Sequence, residues 1–103
     1  MLNQNPFELM QLEAPKTAQA FYSLIESVFS GNGLDEKMAQ LIYIGIKASQ
    51  GEEASVSAHV AMAKKAGATR DEIRETILLT LAVSGVNGIV HCLVPALEAY
   101  ERA

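Results

Sequence analysis

Cysteine is nearly absent from this chain of 103 residues. Cys92 stands alone, so no intramolecular disulfide can form, and a reducing, cytoplasmic setting is expected. Basic residues are also few. Eight Lys and Arg against twelve Asp and Glu give a formal net charge of −4, and no basic stripe exists to neutralise phosphates, which argues against a nucleic-acid partner. No long apolar run occurs either. The longest, Leu41 to Ile46, falls far short of the roughly 20 residues of a membrane span, so no membrane partner is expected. The opening Met-Leu-Asn-Gln-Asn-Pro lacks the basic and apolar stretches of a secretory signal. Aromatics make up only 6% of the residues.

What the chain has is apolar content, 50% of it, much of that alanine. Such a composition excludes intrinsic disorder. A domain of this size leaves roughly a third or more of its surface exposed. That much apolar surface on so small a body is expected to be covered by further copies of the same chain.

Punctuation divides the sequence into helix-length pieces. Ala14-Pro15 opens one, and Ala18, Phe21, Tyr22, Ile25, Val28 and Phe29 recur along it at helical spacing. Gly31-Asn32-Gly33 stops it, and Asp35 is placed to cap the next. The segment Glu36 to Gln50 holds the run Leu41-Ile42-Tyr43-Ile44-Gly45-Ile46, which by propensity alone could be a buried strand; its length and flanks favour a helix, central or at an interface. Gly51 ends that piece. Glu52-Glu53 begins another, with Val56, Val60, Ala63 and Ala66 as a narrow apolar stripe and Lys64-Lys65 before Gly67 closing it. Thr69 with Glu72 forms a capping box that launches Ile73, Ile77, Leu78, Leu81 and Ala82, up to Ser84-Gly85. The last helix runs from near Asn87 to Arg102, kinked or started by Pro95. The expected architecture is all-α, one domain over residues 1–103.

The chemistry-bearing residues concentrate between Gln40 and His59. On a helix starting near Glu52, residues Glu52, Ser55 and His59 fall at i, i+3 and i+7, on one face. A carboxylate, a hydroxyl and an imidazole there can hold a polar ligand, pass a proton, or satisfy one another and fix the hairpin. An antiparallel bend at Gly51 could bring Gln40 alongside. His91 and Cys92 are a tempting metal pair, but adjacent residues on a helix point in different directions and chelate poorly, so neither a metal nor a cofactor is expected. Cys92 reads as a small buried apolar side chain. Met38, Met62, Phe21, Phe29 and Tyr43 read as core or interface.

These features together resemble a known family. Leu34-Asp35-Glu36-Lys37, then Leu41 to Ser49, His59, Ala66-Gly67-Ala68-Thr69 with Glu72-Ile73, and the Ser84-Gly85-Val86 turn are similar to the carboxymuconolactone decarboxylase and alkylhydroperoxidase D superfamily over roughly residues 34 to 100. The resemblance implies an alkylhydroperoxidase D-like bundle on a helical-hairpin core, assembled as a homotrimer or homohexamer. The peroxidase branch carries Cys-x-x-Cys-x-x-x-His with a Glu upstream; at those positions this chain has Glu52, Ser55 and Gln40. Without either sulfur, dithiol chemistry is excluded. The decarboxylase branch has a Glu shortly before His-Val, to which Glu52 or Glu53 with His59-Val60 is similar. That branch usually has a basic residue just after His-Val; here Ala61 follows, and the nearest basic residues are Lys64 and Lys65.

The resemblance implies lyase-type acid–base chemistry on a small organic acid or lactone. His59 and Glu52 are then the catalytic candidates, and Ser55, Gln40, Glu53 and His91 the substrate-binding ones. Two alternatives stand beside it. One is a degenerate member that binds a ligand or partner without chemistry, and the other a residual peroxidase acting through Cys92.

Overall fold

A computed structural model describes residues 5–103. Its helices are α1 (Pro6–Glu13), α2 (Pro15–Phe29), α3 (Glu36–Ser49), α4 (Glu53–Lys65), α5 (Arg70–Ser84) and α6 (Val94–Arg102), with a π-helical turn at Ile89–Leu93; no strand occurs among the described residues. Contacts divide the chain into two compact units, one ending at Asn32 and one running from Gly33 to Ala103.

In the first unit, Asn5 caps α1 by accepting from the Phe7 N–H at 2.8 Å, and Pro6 occupies the first turn, where a missing N–H costs nothing. Pro15 then restarts the chain as α2, as its position predicts. The Phe7 and Phe21 rings stack at 6.2 Å, and Tyr22 meets Phe21 edge-on at 5.7 Å. Helix α1 is a finding that periodicity does not foreshadow. It is eight residues long and buries none of them, so only the Asn5-Pro6 pair announces it.

The second unit is built on the α3–α4 hairpin. Asp35 caps α3 through the Met38 N–H at 2.8 Å. The apolar run is helical, with Gln40, Leu41, Ile44 and Ala48 buried on one side. Gly51 makes the bend at φ +73°, a region open to glycine at little cost. Helix α4 buries Val56, Val60 and Ala63, and α5 buries Ile73, Ile77 and Thr80. The Thr69–Glu72 capping box is closed by both of its bonds, at 3.1 and 2.9 Å. Full burial of Ile44, Ile73, Ile77, Val56 and Val60 contributes about 1.5–3 kcal/mol each and drives the packing.

The end of the chain is tied down by polar bonds. Lys64 donates to the carbonyls of Tyr100 and Ala103, both at 3.0 Å, which satisfies the C-terminal end of α6. The Tyr100 hydroxyl donates to the Ala68 carbonyl at 2.9 Å. Pro95 acts as its position predicts, with a specific consequence. It has no N–H to donate to the His91 carbonyl, and the backbone just before α6 winds as a π turn over Ile89–Leu93.

Candidate functional site

The α3–α4 hairpin sets the geometry of the site. Both helices are fixed by their buried stripes, so their polar residues at the seam have little freedom. His59, half-buried on α4, has its Nδ1 2.7 Å from Gln40 Oε1 on α3. Gln40 is only 7% exposed, so this contact also satisfies a buried amide. An amide oxygen only accepts. Nδ1 is therefore the donor, and in the neutral ring Nε2 is the basic atom. The Tyr43 ring stacks on the imidazole, with centroids 3.7 Å apart and planes 21° from parallel.

The electrostatics favour a neutral ring. Burial, first, and the positive charge of Lys47, second, push the His59 pKa below its usual value. An imidazole with a fixed Nδ1–H and an uncharged Nε2 is a base and a hydrogen-bond acceptor at neutral pH.

The other candidates occupy different ground. Ser55 is half-buried one turn before His59 on α4. Glu52 and Glu53 are exposed at the start of α4, where Glu52 is the N-cap residue but makes no side-chain cap bond. Both carboxylates are close enough to Cys92 to raise its pKa, although burial of the thiol is the larger cause. Cys92 itself is fully buried in the π turn, beside exposed His91. Among the described residues, no group of three or more His, Cys, Asp or Glu side chains could hold a metal ion. No helix among them is long and apolar enough to cross a membrane.

Two participants escape a reading by residue type. Tyr43 looks like core, and Lys47 looks like a helix-end charge. Yet Gln40, Tyr43 and Lys47 stand at i, i+3 and i+7 on α3, a spacing that puts all three on one face. That periodicity was the available signal. A separate face of α3 forms an apolar groove with α5, lined by Met38, Ile42, Ile46, Leu79 and Val83.

Comparison with known proteins gives this arrangement a context. The model of the carboxymuconolactone decarboxylase family matches residues 15–98. Two uncharacterized proteins of Methanocaldococcus jannaschii are similar in sequence. MJ1511 is 29% identical over 88% of this chain and 85% of its own length, and MJ0742 is 34% identical over 70% of each. Among solved structures, apo-lpg0406, a carboxymuconolactone decarboxylase family protein from Legionella pneumophila, superposes with a TM-score of 0.83 at 25% identity, covering 92% of this chain and 84% of its own. A Burkholderia xenovorans LB400 protein gives a TM-score of 0.85 at 23% identity, over 96% of this chain and 77% of its own, and shares the fold. The all-α architecture, the hairpin core and the matched residues agree, and the chain belongs to the carboxymuconolactone decarboxylase family.

Proposed function

We propose that the protein performs acid–base chemistry on a small organic acid or lactone, with His59 as the group that moves the proton. The observation that carries this reading is the Gln40–His59 contact at 2.7 Å, which leaves Nε2 as the basic atom of a ring held neutral. A neutral imidazole must accept a proton before it can deliver one. It takes that proton from substrate or water and returns it to carbon. In a decarboxylation, the bond to the departing carbon dioxide leaves its electron pair on carbon, and the imidazolium proton quenches that pair. Glu52 precedes α4 as its N-cap residue, two turns before His59, and its role in this reading is to favour the imidazolium formed midway.

The test is turnover of small lactone carboxylates, followed by carbon dioxide release and substrate loss, in the wild type and in His59→Gln. Loss of turnover in a folded His59→Gln protein supports the reading. Turnover that survives removes His59 from the mechanism.

A binding role without chemistry is the second reading. It is favoured by Gln40, a neutral amide with no proton to give where the peroxidase branch has a carboxylate. Peroxidase chemistry through Cys92 has no comparable support, because the thiol is fully buried and its pKa is raised. We also read the protein as a homotrimer or homohexamer. Ile46, Leu79 and Val83 line the α3–α5 groove at 55%, 68% and 79% exposure, values that a second copy of the chain would reduce.

A further inference from the structure

Three lysines of this chain are half-buried: Lys37, Lys47 and Lys64. Two have evident employment. Lys37 pairs with Glu72 at 3.0 Å, and Lys64 closes the end of α6 through two carbonyls. Among the described residues, the remaining ion pairs join Arg70 to Glu101 and Arg74 to Asp71 and Glu75, and neither an ion pair nor a side-chain hydrogen bond engages the Lys47 ammonium. A half-buried cation that no described side chain pairs with is placed to meet an opposite charge from outside the chain.

Its position says what that could be. Lys47 follows Gln40 and Tyr43 on one face of α3, and both of those residues touch the His59 ring. Helices α3 and α4 run antiparallel through the bend at Gly51, where the Glu52 N–H donates to the Lys47 carbonyl at 3.0 Å. Lys47 is therefore level with Glu52 at the start of α4, about one turn from Ser55, and side chains on α3 lean back toward its N-terminus, the direction of Ser55 and His59. A flexible four-carbon stem at that level carries its charge along the seam toward the imidazole. After burial, the larger cause, the Lys47 charge is the second influence that lowers the His59 pKa.

We propose that Lys47, with the Ser55 hydroxyl as second donor, holds a carboxylate of a small organic acid beside the Nε2 edge of His59. The proposal rests on the acid–base reading for its choice of ligand class. It supplies from α3 the cation that the sequence lacks after His59-Val60. A carboxylate there gains a charge-assisted bond and places its neighbouring carbon within reach of the basic nitrogen.

The experiment is a titration of the full chain with succinate and levulinate, followed by backbone amide shifts and by calorimetry, with methyl levulinate as the uncharged probe. Expected are shifts at Lys47, Ser55 and His59, and carboxylate affinity about tenfold or more weaker in Lys47→Gln. Lys47→Arg should retain most of the affinity, and Lys65→Gln should match the wild type. Methyl levulinate should not distinguish wild type from Lys47→Gln. No carboxylate binding to the wild type, or equal affinity in Lys47→Gln, overturns the proposal. Binding and turnover separate the two ideas. Carboxylate binding that needs Lys47, without any His59-dependent turnover, sinks the acid–base reading alone. His59-dependent turnover with KM unchanged in Lys47→Gln sinks the Lys47 assignment alone.

Discussion

Gln40 and His59 lie 19 residues apart in sequence and meet at 2.7 Å across the hairpin, amide oxygen to ring nitrogen. The contact selects one tautomer of the ring, and changing the amide should change the ring's behaviour. Gln40→Glu puts a negative charge against Nδ1, which favours imidazolium and raises the His59 pKa. Gln40→Leu leaves the N–H without its buried acceptor and should cost about 1–3 kcal/mol. Nitrogen-15 shifts of the imidazole, recorded across pH, read both outcomes. A ring in Gln40→Leu with the wild-type tautomer would mean that Gln40 does not select it.

Stability should decline in acid through two groups, His59 and then Glu72. The unfolded chain protonates His59 near pH 6.5, whereas the folded chain, with its lowered pKa, does so only further down. Between those values the unfolded state binds more protons, so stability falls as pH falls. Glu72 adds a later loss. Its carboxylate is held below 4.5 chiefly by the Thr69 backbone N–H and then by Lys37, so its contribution is present above that value and disappears as pH falls through the folded one. Urea midpoints from pH 8 to 3 should show the first decline flattened in His59→Gln and the second retained.

Much of this was legible in the sequence, for physical reasons that differ by element. Asp35, Thr69 with Glu72, Pro15 and Gly51 act within a few residues of themselves, so their consequences could be read directly. The hairpin placed Gln40 near His59 because only one bend separates them. Tyr43 and Lys47 were not recognisable as site residues from their types, since their role depends on which face of α3 turns toward α4. The π turn is a middle case. Pro95 announced a disruption, but whether a proline kinks a helix, ends it or widens one turn depends on how the groups around it pack.

Gly88 marks a close approach within the second unit. Its backbone is ordinary right-handed helix, so alanine there has no conformational penalty. A Cβ, however, would fall 2.5 Å from Thr80 Oγ1 and 2.9 Å from the Ala48 carbonyl oxygen. Gly88→Ala should therefore destabilise by about 1–3 kcal/mol. Combining it with Thr80→Ala removes the first clash and leaves the second, so thermal denaturation of the pair should show less than the sum of the two single losses.

Cys92 should be chemically quiet. Its thiol is fully buried, and burial followed by the charges of Glu53 and Glu52 raises its pKa, which leaves little thiolate at neutral pH. Labelling by a thiol reagent should be slow in the native protein and fast in urea. Cys92→Ser should leave any peroxide consumption unchanged. Fast native labelling together with lost peroxide consumption would revive the one-cysteine peroxidase.

The last prediction concerns assembly. The α3–α5 groove presents Ile46, Leu79 and Val83 on a helix pair that packs Ile44, Ala48, Ile73 and Ile77 into the core. A charge at its centre would be stranded against apolar surface if another copy covered it, and would be harmless if water did. Leu79→Glu should therefore reduce the mass measured by light scattering from three or six times 11.1 kDa toward one. The α3–α4 seam lies on another face of α3, so the Gln40–His59 tautomer should persist in the dissociated protein. A wild type that is already monomeric would place that groove in water, and the homo-oligomer reading would fall with it.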